Sequence, residues 1–198
     1  MTSILKVDEI QDTSGNNIIN ENAGTITIGK SGDTVNLASG ATNNLGITEA
    51  DQWRLSANTN LSTNADVTTN WERNDSSGYS SIGTGLTESS GVFSFSQTGI
   101  YLIQHTAYFY IASGDSGTAM DMYITENNSS YTQTTRAVSG TGGTGVGNSG
   151  SQSFMFDVTN ITTHKFKFAT ATFASGTYLL GNTGYNTTSI TVLRLGDT

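Results

Sequence analysis

From about residue 50 onward, apolar and polar residues alternate with a period of two, and this pattern constrains the fold more than any other feature. Successive side chains of a β-strand point to opposite faces, so the alternation predicts half-buried strands. It is clearest in GIYLIQHTAYFYI (99–111), SFMFDV (153–158), HKFKFAT (164–170) and SITVLRL (189–195). One face of the first segment collects five apolar residues and a histidine: Tyr101, Ile103, His105, Ala107, Phe109 and Ile111.

Helical signals are almost absent from the chain. Ala, Leu, Glu and Lys never gather into a stretch with a period of 3.6, whereas Thr, Val, Ile, Tyr and Phe gather repeatedly. Clusters of Gly, Ser, Asn and Asp separate the alternating runs, as is typical of turns. The chain has 23 Gly and no Pro, which suits many paired strands because Pro removes a ladder donor. We therefore predict an all-β protein whose longer strands form a β-sandwich or jelly roll.

The first part of the chain has a different pattern of apolar residues. This difference divides the chain into a segment at 1–48 and a domain at 49–198. Short apolar pairs recur about every nine or ten residues: Ile26/Ile28, Val35/Leu37 and Leu45/Ile47. Each pair is too small to bury itself, so we expect it to pack against neighbouring chains or successive rungs of a fibrous β-structure. The alternative is a flexible arm with two ordinary hairpins.

Charge and cysteine content exclude several classes of function. There are 8 basic and 16 acidic side chains, giving a net charge of −8, and no Lys/Arg cluster that would bind nucleic acid. The most apolar stretch, YFYIA (108–112), is too short to span a bilayer, so we expect no membrane insertion. With no cysteine and no signal-peptide pattern in MTSILKVDEI, we expect assembly in a reducing cytoplasm.

Two strings look like catalytic or cofactor motifs. Gly114-Asp115-Ser116-Gly117 matches the surroundings of a protease serine. His164 follows the serine, against the chain order of such enzymes, and His105 lies only 11 residues before it, within a strand pattern. The string lies between two strand patterns, where it makes an ordinary hairpin loop. GTGGTG (140–145) matches a dinucleotide fingerprint, but a strand follows it where a helix would be needed. We therefore predict no catalytic residue, no cofactor and no enzyme activity.

Metal binding is not expected either. The histidines at 105 and 164 have no carboxylate at a ligand spacing, and no spaced acidic loop suits calcium. Exposed tyrosines among Asn and Ser suit sugar rings better, because tyrosine is rigid and flat with one polar end. The candidate binding residues of the loops are Tyr79, Asn127, Asn128, Tyr131 and Tyr185.

Three stretches carry a family resemblance: WRLSANTN (53–60), GTGLTESSGVFSFSQTGIYLIQHTAYF (83–109) and SITVLRLG (189–196). Through them, residues 51–196 resemble the complement C1q/tumour-necrosis-factor-like jelly roll, in the versions found in virion proteins of tailed phages. Its most specific element is GVFSF at 91–95 followed by Gly99-Ile100-Tyr101, which opens the long alternating strand. SILKVDEIQDTSGNNII (3–19) and TITIGKSGDTVNLASGAT (25–42) likewise resemble the anchoring segments of phage fibre and appendage proteins.

The resemblance implies a ten-stranded jelly roll that forms a homotrimer, with aromatic strand faces packed between subunits. It implies a structural virion protein assembled in the host bacterial cytoplasm. As a fibre or spike, it would attach to other virion proteins through its N-terminal arm and bind a host-surface glycan or protein with its head. The alternative is a capsid decoration protein bound to the outer shell. The residues expected to anchor the arm and hold the trimer together are Ile4, Leu5, Val7, Ile10, Ile26, Ile28, Val35, Leu37, Leu45 and Ile47.

Overall fold

The computed structural model describes residues 9–11, 13–14, 17–22, 25–29, 31–34, 46–61, 65–112, 115, 117–140 and 146–198. The chain divides into two compact units, Met1–Asn43 and Asn44–Thr198. Within the described ranges every regular element is a strand, which confirms the all-β prediction, and no helix there is long and apolar enough to cross a membrane. Several predicted residues lie outside the described ranges: Ile4, Leu5, Val7, Val35, Leu37, Leu45 and Ser116.

The first unit contains a three-stranded antiparallel sheet made of β1 (Glu9–Gln11), β2 (Asn17–Asn22) and β3 (Thr25–Ile28). Ile10 pairs with Ile19, and Ile19 pairs with Ile28, so these three side chains form one row across the sheet. Ile26 shares their face because it lies two residues from Ile28 on the same strand. These strands form two hairpins, as in the alternative interpretation of the arm.

The second unit is built from twelve strands among its described residues. They are β4 (Ala50–Leu55), β5 (Thr59–Asn60), β6 (Trp71–Arg73), β7 (Thr87–Ser89), β8 (Val92–Ser94), β9 (Gly99–Ile111), β10 (Gly117–Thr125), β11 (Thr132–Gly140), β12 (Val146–Val158), β13 (Lys165–Ala171), β14 (Tyr178–Leu179) and β15 (Ser189–Gly196). Every pairing between them is antiparallel.

These strands form two sheets that pack as a sandwich. The five-stranded sheet has the order β11-β10-β13-β8-β7. In the seven-stranded sheet, β12 pairs with β9 along its whole length, so β14 and β15 share the other edge of β9. Strand β15 then pairs with β4, and β4 with β6. The long alternating strand β9 therefore lies inside its sheet and presents one whole face to the core.

The core between the sheets is aromatic and follows the predicted alternation. The six residues predicted to share one face of β9 are all 0–1% exposed. Phe166 and Phe168 of β13 are fully buried, and Phe166 stacks on Phe93 of β8 with centroids 4.9 Å apart. Burial of a large aromatic side chain stabilises a fold by about 2–3 kcal/mol. The cluster also joins the two sheets, because the ring centroid of Phe168 lies 5.1 Å from that of His105 in β9 and the centroid of Phe93 lies 5.6 Å from that of Trp53 in β4.

A buried arginine holds the loops beside β4 and β6 in place. Arg54 points to the outer side of the seven-stranded sheet, yet its side chain is 0% exposed. Its Nε donates to Glu72 Oε1 at 2.8 Å. The other guanidinium nitrogens donate to Asn74, Asp75, Ser76 and the backbone oxygen of Thr183. Because all of these acceptors converge on one rigid cation, the loops on both sides are fixed to the strand.

Candidate functional site

Strand pairing divides the loops of the second unit between two ends. Gly117 pairs with Gly140, and Val146 pairs with Ile111, so these four residues mark one end of the sandwich. The other end is marked by the pairs Gly99/Val158 and Thr125/Lys165. The chain enters the sandwich at this second end, where the Arg194 backbone N–H donates to the Glu49 oxygen at 2.9 Å.

The structure does not bring the predicted binding residues together at one tip. Tyr185 precedes β15 and lies towards the first end, where it is 63% exposed. Together with Tyr108, Gly147 and Asn186, it lines an open cleft of about 480 Å³. The predicted residues Asn127, Asn128 and Tyr131 lie at the second end, in the turn between β10 and β11.

The hydroxyl of Tyr79 is committed to a buried carboxylate. It donates to Asp51 Oδ1 at 2.7 Å, and Asp51 is 3% exposed. The same carboxylate accepts the Trp53 indole N–H at 3.0 Å and the Leu86 backbone N–H at 2.8 Å. Burial and the hydrogen bond to Asp51 raise the pKa of Tyr79 to about 12. Tyr79 therefore satisfies a structural charge, and its hydroxyl is engaged within the protein.

Asn127 and Asn128 shape a tight turn. The side-chain oxygen of Asn127 accepts the backbone N–H groups of Ser129 at 3.0 Å and Ser130 at 2.8 Å. Asn128 has a φ of 57°, a left-handed conformation that asparagine tolerates better than most residues. Its backbone N–H donates to the oxygen of Thr163 at 3.1 Å, which ties this turn to the connection after β12.

Tyr131 borders a depression on the outer face of the five-stranded sheet. Register explains how this depression forms: Arg136 pairs with Asp121, Asp121 with Ala169, and Ala169 with Asp66. Paired residues point to the same face, so the short Ala169 side chain lies between two longer carboxylates. Tyr123, two residues along β10 from Asp121, pairs with Lys167 in the next row on that face. We call this depression the Ala169 site, which comprises Asp66, Asp121, Tyr123, Tyr131, Arg136, Lys167 and Ala169 and has a volume of about 320 Å³.

Two ion pairs balance the charge of the Ala169 site. Arg136 donates to both oxygens of Asp121, through Nε at 2.8 Å and Nη2 at 2.7 Å. The Asp121 side chain is 2% exposed, and its hydrogen bond and charge raise the pKa of Arg136. Lys167 donates to Asp66 Oδ2 at 2.6 Å and lies 4.5 Å from the centroid of the Tyr131 ring. Burial raises the pKa of Tyr131, so its phenol stays neutral.

Sequence reasoning identified only Tyr131 among the residues of this site. Asp121 and Tyr123 are two residues apart, and so are Lys167 and Ala169, which places each pair on one strand face. That signal was readable from the sequence. The pairing of β10 with β13 and with the segment around Asp66 was not, because register depends on contacts between distant parts of the chain.

Both histidines are buried in structural positions. His105 Nε2 lies 2.8 Å from Thr135 Oγ1, while its Nδ1 has no hydrogen-bond partner among the described residues. Burial lowers the pKa of His105 to about 4, although the charge of Asp121 acts in the opposite direction. His164 stacks on Phe156 with centroids 5.6 Å apart. Within the described ranges, no group of three His, Cys, Asp or Glu side chains could hold a metal ion.

Asp115 is the described acidic residue of the protease-like string. Its Oδ2 accepts the Thr177 hydroxyl at 2.7 Å and the Ala174 backbone N–H at 3.0 Å. It is 8% exposed. This carboxylate fixes the connection after β13 to the end of β9.

Comparison with known proteins identifies the fold. No protein-family profile and no curated protein matches the chain. Among solved structures, it is similar to the Eiger TNF of S. frugiperda, with 15% identity and a TM-score of 0.58 over 77% of this chain and 94% of that one. It is also similar to murine APRIL at pH 5.0 and pH 8.5, with 14% identity and TM-scores of 0.56 and 0.54. Each APRIL match covers 74% of this chain and 98% of APRIL. The second unit is therefore a jelly roll of the TNF/C1q-like type, which confirms the predicted fold.

Proposed function

We propose that the protein is a homotrimeric virion appendage of a tailed phage, in which an arm at 1–48 attaches to the particle. The jelly-roll head at 49–198 binds the host cell surface. The sequence resemblance supplies the phage context, and the fold supplies a scaffold that suits binding. The observation that carries the proposal is an apolar sheet face in the arm that no other described part of the first unit covers.

That apolar face belongs to the row of isoleucines in β1, β2 and β3. Ile26 is 66% exposed, Ile28 56%, Ile10 41% and Ile19 39%. Three predicted anchor residues lie here, and Ile19 joins them through the register. A small sheet with one apolar face gains stability only when another surface covers it. Neighbouring copies of the arm, or other virion proteins, would provide that surface.

A second surface supports self-association of the head. Met155 pairs with Leu102, and Leu102 with Leu193, so these side chains form a row across the outer face of the seven-stranded sheet. Met155 is 59% exposed, and nearby Leu195 is 48% exposed. We expect this face to pack between the three heads. Three heads on one particle would also strengthen a weak host contact through avidity.

The oligomeric state provides the first test. By light scattering after size exclusion, we expect the protein to have three times the 20.8 kDa mass of one chain. Met155→Asp would bury a carboxylate in the trimer and should shift the mass towards that of a single chain. Ile161→Asp is the matched control, because Ile161 is also exposed, at 41%, but lies outside both sheets. A single-chain mass for the unaltered protein would refute the trimer.

The virion role is tested by cryo-electron microscopy of particles that carry the protein. Density on the tail or baseplate would support host attachment. Density on the icosahedral shell would overturn it and identify a capsid decoration protein instead. Deletion of residues 1–48 should leave a folded head but abolish incorporation, because the arm is the proposed attachment. Incorporation of the truncated head would refute that role.

A further inference from the structure

We propose that the Ala169 site binds a neutral saccharide unit, with Tyr131 as the stacking platform and the two ion pairs as hydrogen-bonding partners for the hydroxyl groups. The inference rests on the proposed host-surface function only for the source of that saccharide. The site itself is argued from register, burial and charge.

The shape of the site follows from the small residue at its floor. Ala169 lies between Asp121 on one neighbouring strand and Asp66 on the other, so the two carboxylates are roughly 10 Å apart, at two strand spacings. The floor between the two carboxylates is the methyl group of Ala169, which is 7% exposed. The space above it has a polar wall on each side and admits a ring-shaped ligand. A longer side chain at 169 would fill it.

The charges of the site select against ions. Asp66 and Asp121 carry two negative charges, and Lys167 and Arg136 carry two positive charges, all paired at 2.6–2.8 Å. An anion would compete with these carboxylates for their cations, and a metal ion would compete with the cations for the carboxylates. A neutral ligand with several hydroxyl groups can instead bond to the exposed members of the pairs, Arg136 and Asp66, without separating either pair.

Donors and aromatic surface remain available for such a ligand. Arg136 uses two of its five N–H groups on Asp121, and its side chain is 49% exposed. Tyr131 is half-buried and lines the site, so the part of its ring that Lys167 does not cover is available to the C–H surface of a sugar. Tyr123 adds a second ring from the neighbouring strand. Flat C–H faces that alternate with hydroxyl groups are the chemistry of saccharides, and they match this arrangement.

The site also stays accessible in the proposed trimer. It lies on the outer face of the five-stranded sheet, whereas the row of Met155, Leu102 and Leu193 lies on the outer face of the opposite sheet. Association through that row leaves the Ala169 site facing solvent on each of the three copies.

The experiment is saturation-transfer-difference NMR on the full-length protein. The neutral probes are the methyl glycosides of glucose, galactose and mannose, together with N-acetylglucosamine. The charged probes are glucuronic acid and glucosamine. We expect at least one neutral probe to bind and both charged probes to bind more weakly. Ala169→Leu fills the floor, and Tyr131→Ala removes the platform. Each should weaken binding at least about tenfold.

Tyr185→Ala is the matched control, because it removes an exposed tyrosine from the opposite end of the sandwich and should change affinity by less than about twofold. If Ala169→Leu does not fold, as judged by circular dichroism, Tyr131→Ala alone decides. The absence of binding by every neutral probe, unchanged binding in Tyr131→Ala, loss in Tyr185→Ala, or stronger binding of the charged probes would each overturn the inference. Saccharide binding that depends on Tyr131, found together with density on the capsid shell, would support this site while refuting host attachment.

Discussion

Acidification should destabilise the head through one buried histidine. His105 is 1% exposed between the two sheets, with its ring 5.1 Å from that of Phe168. Burial disfavours the imidazolium and lowers the pKa of His105 from 6.5 to about 4 in the folded protein. The unfolded chain therefore binds a proton below pH 6.5, while the folded chain stays neutral until about pH 4. The free energy of unfolding must then fall as the pH decreases through this window.

The magnitude follows from the difference between the two pKa values. Each pKa unit corresponds to 1.36 kcal/mol, so this histidine removes about 2 kcal/mol of stability between pH 7 and pH 5. The loss reaches about 3 kcal/mol at pH 4. For an unfolding slope of about 2 kcal/mol per molar urea, the loss at pH 5 lowers the urea midpoint by about 1 M.

The assay is urea unfolding followed by tryptophan fluorescence at pH 7, 6 and 5. The reference is the double variant His105→Phe/Thr135→Val, which keeps an aromatic ring and removes the hydroxyl that bonds to His105 Nε2 at 2.8 Å. Other titrating groups contribute equally to both proteins, so the difference between their slopes reports His105. Parallel dependence on pH in the two proteins would refute the assignment of a depressed pKa to this histidine.

Two further predictions concern backbone contact and buried charge, and both are measured by urea unfolding. Gly91→Ala should lower the free energy of unfolding by about 2 kcal/mol more than Gly78→Ala does. Both glycines have a positive φ, but only at Gly91 would the new Cβ lie 2.2 Å from the backbone oxygen of Val67. Equal losses would contradict the predicted steric clash. Arg54→Met should lower the free energy of unfolding by about 3 kcal/mol, because it leaves Glu72 and the other acceptors without their cation. Arg54→Lys should restore little of this stability, because one ammonium group cannot reach all the acceptors that the planar guanidinium contacts. Near-complete rescue by lysine would show that charge alone matters there.

The strands of the head could be predicted from the sequence because their pattern is local. Alternation over 99–111 placed the core face of β9 correctly, and the same holds for Phe166 and Phe168 in β13. The positions of the tip candidates could not be deduced in this way. Tyr185 and Asn127 lie at opposite ends of the sandwich because antiparallel strands return successive connections to alternate ends. Deciding which end each loop occupies requires the pairing order.

The arm illustrates a different limit. Spacing between apolar pairs favoured stacked rungs, yet the described strands around Ile26 and Ile28 form antiparallel hairpins. A short run such as TITI has the same alternation in a stacked rung and in a hairpin. The pattern therefore predicts which residues share a face but does not predict the partner strand. The expectation that Ile26 and Ile28 need a partner outside their own sheet remains a prediction of the proposed trimer.

The two outer faces of the head differ in chemistry, and this difference decides which of them suits each proposed role. Met155 and Leu195 place apolar surface on the seven-stranded sheet, where burial between copies would contribute roughly 25 cal/mol per Å². Arg136 and Lys167 place paired charges on the five-stranded sheet, where burial against a protein would remove water from Arg136, Lys167 and Asp66. A saccharide would replace that water with its own hydroxyl groups, which form hydrogen bonds to the charged groups in place of water. In the proposed trimer, weak binding at each of three such faces would be sufficient, because three linked sites raise the avidity for a carbohydrate-covered surface.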